Sequence, residues 1–255
     1  MKKILLVSGC SWGDSNFTST FHPEMACDWP KWPELLAKKL DMECLNLCRS
    51  GAGQEYIYGA ISDKIQTLDS NKIGYTIAAW STAPRRDFNI FSTWRNESKD
   101  SKGDINYWIQ RSFRYQYAFQ TLMEFKKIPY LQFQMTSLHK AYLHKLMTPY
   151  SSNLYSSKNH AKDIDLKKIQ EVEPTLKSKF DKELQKILQT IKNSPYYKNF
   201  NDKFVGWPTD ENIGGFDIGS KLLNEQHRIS ELDLHPNTKG QEVIAEFLYE
   251  KIINS

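Results

Sequence analysis

The chain opens with two lysines and then four strongly apolar residues, Ile4–Val7, that run into Ser-Gly. A short, unbroken apolar run of this kind predicts a strand buried on both faces, as in a parallel sheet. "WPELLAKKL" (Trp32–Leu40) places Leu35, Leu36 and Leu40 at helical spacing, with Pro33 near the start, and predicts a helix. A second strand is expected at Met42–Leu47, a second helix at Glu55–Leu68 and a third strand at Ile73–Ser81. The order β-α-β-α-β argues a doubly wound sheet. Helical spacing resumes over Asn106–Lys126, and Ile128–Met135 reads as a fourth strand.

The pattern then changes. From Ser137 to about Gln170 the chain is polar, rich in Ser and Lys, and only weakly periodic. Thr175–Asn193 regains one apolar stripe, carrying Leu176, Phe180, Leu184, Ile187, Leu188 and Ile191, and predicts an amphipathic helix. Leu138–Phe200 therefore reads either as an insertion or cap on a single domain spanning residues 1–255, or as ordinary connecting helices. Phe204–Phe216 is expected to form a short strand and a Gly-rich loop. His235–Ile253 turns through Pro236 and Gly240 into a closing helix.

Composition narrows the class. The chain has 255 residues, enough for one α/β domain, and 40% are hydrophobic, which suffices for a core and argues against global disorder. A net charge of +4, much of it in the Lys-rich stretches after Ser137, reads as solvated helix faces. No zinc-finger spacing or aromatic RNA-binding signature accompanies it, so no nucleic-acid partner is expected. Cys10, Cys27, Cys44 and Cys48 form no Cys-x-x-Cys pair and have no nearby His pair, so free thiols in a reducing compartment are expected. The first apolar run falls short of the roughly 7–15 residues of a signal peptide. No run approaches the roughly 20 of a membrane span. A soluble, cytoplasmic protein follows as the expectation, with assembly into a particle left open; oligomeric state is not legible.

Catalytic groups in parallel α/β sheets gather at the carboxyl ends of the strands. The polar residues just past each predicted strand can therefore be collected. The first strand gives Ser8, Cys10, Ser11 and Ser15, and the second gives Ser50, Gly51, Gly53 and Gln54. The third gives Ser81, Thr82, Arg85 and Arg86, and the segment before the last helix gives Asp233 and His235. A serine, glycines able to offer backbone N–H groups, and a histidine near a carboxylate are the parts that nucleophilic catalysis needs.

The blocks "VSGCSW", "NLCRSGAG", "AAWSTAPRR" and "DLHPNTKG" resemble those of the SGNH, or GDSL-like, hydrolase family. The likeness covers most of the chain apart from Leu138–Phe200. It is most similar to a divergent branch with Gly-Cys-Ser in place of Gly-Asp-Ser, whose members often occur in phage and environmental genomes. The resemblance implies a three-layer α/β/α sandwich around a mostly parallel, flavodoxin-like sheet. It also implies an ester hydrolase with a Ser-His-Asp triad and no metal or organic cofactor. Ser11 would attack the ester, His235 would act as base, and Asp233 would orient it. The N–H groups of Ser11 and Gly51 would bind the oxyanion.

Two blocks depart from the family. The third donor is normally an Asn, and "AAWST" offers only Ser81 or Thr82. The acid usually lies three residues before the His; Asp233 lies two before and Glu231 four before, and a dyad without an acid is a further alternative. Spelling favours Ser15, which ends Gly13-Asp14-Ser15, whereas position after the strand favours Ser11. Cys10 is expected to be a packed or supporting residue. Arg85 is either a surface charge or a contact for an acidic substrate group. Trp12 and Trp80 are either core or stacking platforms for a sugar, which would fit a small-molecule or glycan ester such as an O-acetyl group. The remaining histidines (His22, His139, His144, His160, His227) lie in polar stretches and read as surface residues. The rival readings are a binding or structural protein that kept the fold but lost the chemistry, for example a phage particle component that binds a glycan, and an acyltransferase using the same triad.

Overall fold

The computed structural model describes residues 2–143, 146 and 174–254. The Ser- and Lys-rich heart of the predicted insertion, with His144 and His160, lies outside them. Five parallel strands form one sheet in the order β2-β1-β3-β6-β7. They are β1 (Ile4–Ser8), β2 (Glu43–Asn46), β3 (Ile73–Trp80), β6 (Tyr130–Gln134) and β7 (Phe204–Val205). The chain winds from β1 outward to β2, then crosses back to β3 on the other side of β1. That reversal opens a crevice at the carboxyl ends of β1 and β3, where open α/β sheets bind ligands.

Strand periodicity sorts the core into two faces. Leu5 and Val7 of β1, with Ile77 of β3 and Phe133 of β6, meet α1 (Trp32–Lys39) and the closing helix α6 (Thr238–Ile253) through Trp32, Leu36, Ile244 and Leu248. Leu6, Ala78 and Trp80 point the other way. They pack under α2 (Gln54–Thr67) and α3 (Ile105–Lys126) against Ile57, Ile61, Phe119 and Met123. The result is three layers, α/β/α. Asp104 caps α3 by accepting the Tyr107 N–H at 2.9 Å. Pro33 sits in the first turn of α1, where a missing N–H costs nothing.

Helix α4 (Pro174–Lys192) buries Ile187 and Ile191 in a third cluster with Ile109 and Phe113 of α3. The short helix α5 (Ile218–Leu222) follows β7 and packs Ile218 into the first face. No helix among the described residues is long and apolar enough to cross a membrane.

One element has no counterpart in the sequence pattern. After β3 the chain forms an antiparallel hairpin, β4 (Arg86–Ile90) and β5 (Thr93–Glu97). Its two-residue turn, Phe91-Ser92, adopts positive φ at both positions (49° and 60°). Such turns are usually spelled Asn-Gly or Asp-Gly, so the customary signal is missing. Asp87 of β4 accepts the Gly53 and Tyr56 N–H groups at 2.8 and 2.9 Å, which fixes the hairpin to the start of α2.

Candidate active site

Ser11 lies on the turn that follows β1, where the Gly13 N–H donates to the Cys10 carbonyl. Cys10 points into the core with Leu5 and Val7, and the serine faces the cavity. Its Oγ lies 2.7 Å from His235 Nε2. His235 Nδ1 lies 2.6 Å from Asp233 Oδ1. A carboxylate only accepts, so Nδ1 carries the proton and Nε2 is left to accept from the serine hydroxyl.

The spacing of two between acid and base follows from a local turn. Asp233 Oδ1 also accepts the backbone N–H of His235 at 3.1 Å, so the carboxylate folds back over its own loop to reach the ring. The loop is closed by Ile229 N–H to the His235 carbonyl and Ser230 N–H to the Asp233 carbonyl. Asn237 then caps α6 by accepting the Gly240 N–H at 3.0 Å, while its Nδ2 donates to the carbonyls of Gln226 and Arg228. Gly240 is required by close approach, because a Cβ there would stand 2.2 Å from the His227 carbonyl oxygen. The "HPNTKG" segment thus sets the angle at which His235 enters the site.

Asp233 is 2% exposed. Burial pushes its pKa up, but hydrogen bonds from the His235 ring, Ser19 and the His235 backbone outweigh that and hold it at about 2. Ser19 Oγ donates to Asp233 Oδ2 at 2.5 Å. Glu231, the alternative acid, is exposed, and the hydrogen bond to the ring is made by Asp233. Phe17 packs on His235 with ring centroids 4.2 Å apart and shields that side of the imidazole from water.

A buried glutamine ties the two halves of the site together. Gln241 of α6 accepts the Trp32 N–H at 2.8 Å and donates to the carbonyl of Trp12, the residue after Ser11, at 3.1 Å. It also donates, at 3.4 Å, to the carbonyl of Pro236, the residue after His235. Asp14 does the equivalent for the second block. It accepts the Asn16 N–H on one oxygen and the N–H and hydroxyl of Ser50 on the other, at 2.7–2.9 Å. The residue after Ser50 is Gly51, held at φ +79° with the Asn96 carboxamide of β5 packed on its Cα. Among the described residues, neither the Ser11 nor the Gly51 N–H donates to a protein acceptor.

Ser11, Gly51, Arg85 and His235 line one open cavity of about 800 Å³, with Phe17, Thr18, Arg49 and Tyr56 among the other walls. Ser15 is exposed, and its hydroxyl donates to Glu34 at 2.6 Å.

Several of the expected placements need correction. Ser81, expected as an oxyanion donor, is fully buried, and its hydroxyl donates to the Ala52 carbonyl at 2.7 Å. Thr82, the fallback, donates to the Leu138 carbonyl at 3.2 Å. Both hydroxyls serve loop carbonyls, each shared with a second donor: Arg85 for Ala52 and the Ala83 N–H for Leu138. Trp80, expected at the pocket, is still within β3, paired with Gln134, and its parity turns it under α3. It is fully buried, with its indole N–H donating to Gln132. Trp12 packs partly buried against the core, its ring centroid 6.2 Å from that of His235, and is not among the cavity walls. The histidines differ too: His139 is buried 3.3 Å from Asp210, and His227 is also buried.

Sequence reading missed Ser19, Phe17, Asp14, Gln241 and Asn96. Asp14 and Gln241 carried a signal, since each is a polar residue amid positions that must pack. Ser19 and Phe17 sit in a loop with no period, and Asn96 in the unrecognised hairpin.

No protein-family model matches the chain, and no curated protein does. Among solved structures it is similar to a protein described as lipolytic and of the G-D-S-L family from Desulfitobacterium hafniense DCB-2. That match has 12% identity and a TM-score of 0.44, covering 97% of this chain and 98% of that one. It is also similar to a psychrotrophic esterase from Pseudoalteromonas sp., solved with monoethylphosphonate as inhibitor. Identity there is 11% and the TM-score 0.44, covering 99% of this chain and all of that one.

Proposed function

We propose that this chain is a serine hydrolase of SGNH type that acts on carboxylic esters. The observation that carries the reading is the unbroken hydrogen-bond line from Ser11 Oγ through His235 to Asp233, at the wall of an open cavity. In the first step Ser11 Oγ attacks the ester carbonyl and passes its proton to His235 Nε2. Asp233 stabilises the imidazolium and keeps the ring in register. The Ser11 and Gly51 N–H groups stabilise the oxyanion. The tetrahedral intermediate collapses, His235 protonates the departing alcohol, and an acyl-serine remains. Water, deprotonated by the same Nε2, attacks the acyl-serine, and His235 returns that proton to Ser11 Oγ as the acid leaves.

A slow catalyst is the second reading. The hydroxyls of Ser81 and Thr82 are committed to carbonyls, so the third donor of the family pattern has no counterpart at the end of β3. Loss of one oxyanion donor lowers rates by about 10²–10³. The test is hydrolysis of p-nitrophenyl acetate by purified protein, expected to disappear in Ser11→Ala and in His235→Ala. Full activity in both variants would overturn the assignment.

A further inference from the structure

Two guanidinium groups stand in the wall of the cavity that holds Ser11 and His235. Arg49 lies two residues before Gly51, and its Nη2 donates to the Trp94 carbonyl of the hairpin at 2.6 Å. The same guanidinium sits 5.7 Å from the centre of the Tyr56 ring. Arg85 follows β3, and its Nη1 donates to the Ala52 carbonyl at 3.0 Å. Both side chains therefore converge on the turn that carries Gly51, each fixed by one backbone carbonyl with most of its donor fork unassigned.

Nearby carboxylates do not occupy their donors. Among the described residues neither arginine makes an ion pair. Asp14, also in the cavity wall, has both oxygens occupied by Ser50 and Asn16. Asp87 lies close enough to Arg85 to interact electrostatically, but its oxygens accept the Gly53 and Tyr56 N–H groups. Two half-buried, pre-anchored guanidinium groups with free donors form a receptor for a planar anion.

Building on the serine-esterase reading, we infer that the ester taken by this site carries a negative charge, a carboxylate or comparable oxyanion, that docks between Arg49 and Arg85. The anion has two chemical sources, the acyl part or the alcohol part of the ester, and matched substrates separate them. The acyl pair is p-nitrophenyl acetate and p-nitrophenyl hemisuccinate. The alcohol pair is phenyl acetate and 4-acetoxybenzoate.

In at least one pair kcat/KM should favour the anionic member by about ten- to a hundredfold, the range of charge-assisted hydrogen bonds. That preference should collapse in Arg49→Ala and Arg85→Ala, be partly restored by Arg→Lys, and persist in Arg114→Ala, a change on α3 outside this cavity. A neutral preference in both pairs, or an anionic preference unaltered in both arginine variants, would overturn the inference and leave the hydrolase reading standing. If no ester is cleaved, the hydrolase reading fails instead, and binding decides the inference. Calorimetry on Ser11→Ala should then show tighter binding of p-nitrophenyl hemisuccinate than of the acetate, lost on adding Arg49→Ala. Equal binding of the two would refute it.

Discussion

The carboxyl ends of β1 and β3 lie side by side in the sheet, with Ser8 opposite Ala78, and each is followed within a few residues by serine. At β1 the turn turns Cys10 into the core and aims Ser11 at His235. At β3 the Ser81 hydroxyl is drawn inward to the Ala52 carbonyl, and the Ser81 carbonyl accepts donors from Gln54 and Gln134. Position at a strand end makes a residue available for chemistry; the hydrogen-bond demands of the neighbouring backbone decide whether it is used there. The β3 end is a brace for the Gly51 turn, and the β1 end faces the cavity that this turn helps to wall.

The sharpest way to break the contrast is to remove the groups on the β1 side. Ser11→Ala and His235→Ala should each lower kcat for p-nitrophenyl acetate by about 10⁴-fold or more, with the fold intact by circular dichroism. Asp233→Asn should cost about 10³–10⁴-fold, because the amide can stabilise the wrong tautomer and cannot balance the imidazolium. Gly51→Ala comes next. It forces a Cβ into a left-handed turn against Asn96 and should cost about 10²–10³-fold in kcat as the N–H is displaced.

The β3 side should respond in stability instead. Ser81→Ala removes one of two donors to the Ala52 carbonyl, since Arg85 supplies the other, and should destabilise by about 1 kcal/mol in urea unfolding. Its kcat should stay within a few-fold of wild type. A loss in kcat as large as that of Gly51→Ala, without loss of stability, would show that Ser81 acts in the oxyanion hole after all.

Acid titration separates the two ends again. Asp233 is held at about 2, below its ordinary value of 3.8, so its hydrogen bonds contribute their full stabilisation above the unfolded-state value. That contribution fades as pH falls from there through about 2. The stability gap between wild type and Asp233→Asn should therefore be largest above about pH 5, shrink as pH falls through about 4 to about 2, and be nearly gone only below about pH 2. A gap that stays undiminished down to about pH 2 would mean that Asp233 is not held as a hydrogen-bonded carboxylate.

What the sequence made legible divides along the same line. The continuous apolar run at Ile4–Val7 and the apolar-rich stretches Ile73–Ser81 and Ile128–Met135 are short and end in turn residues, which reads as strands covered on both faces, and the α/β/α layering follows from them. The "DLHPNTKG" ending was readable because cap, close approach and turn all act within a few residues. Trp80, Ser81 and Thr82 were misplaced by one missing fact: where β3 ends relative to Gln134 and which carbonyls wait beyond it. Those partners lie about 30 or more residues away in the chain, so no local pattern reports them. Ser19 escaped for the same reason, since its hydroxyl reaches across more than 200 residues of sequence to Asp233. The hairpin was hidden by the spelling of its turn.

The most direct test is labelling with a fluorophosphonate followed by peptide mapping. The expected result is a single adduct on Ser11, absent from Ser11→Ala, strongly slowed in His235→Ala, and unchanged in Ser15→Ala. An adduct on Ser15, or labelling that survives in Ser11→Ala, would contradict the assignment of Ser11 as nucleophile.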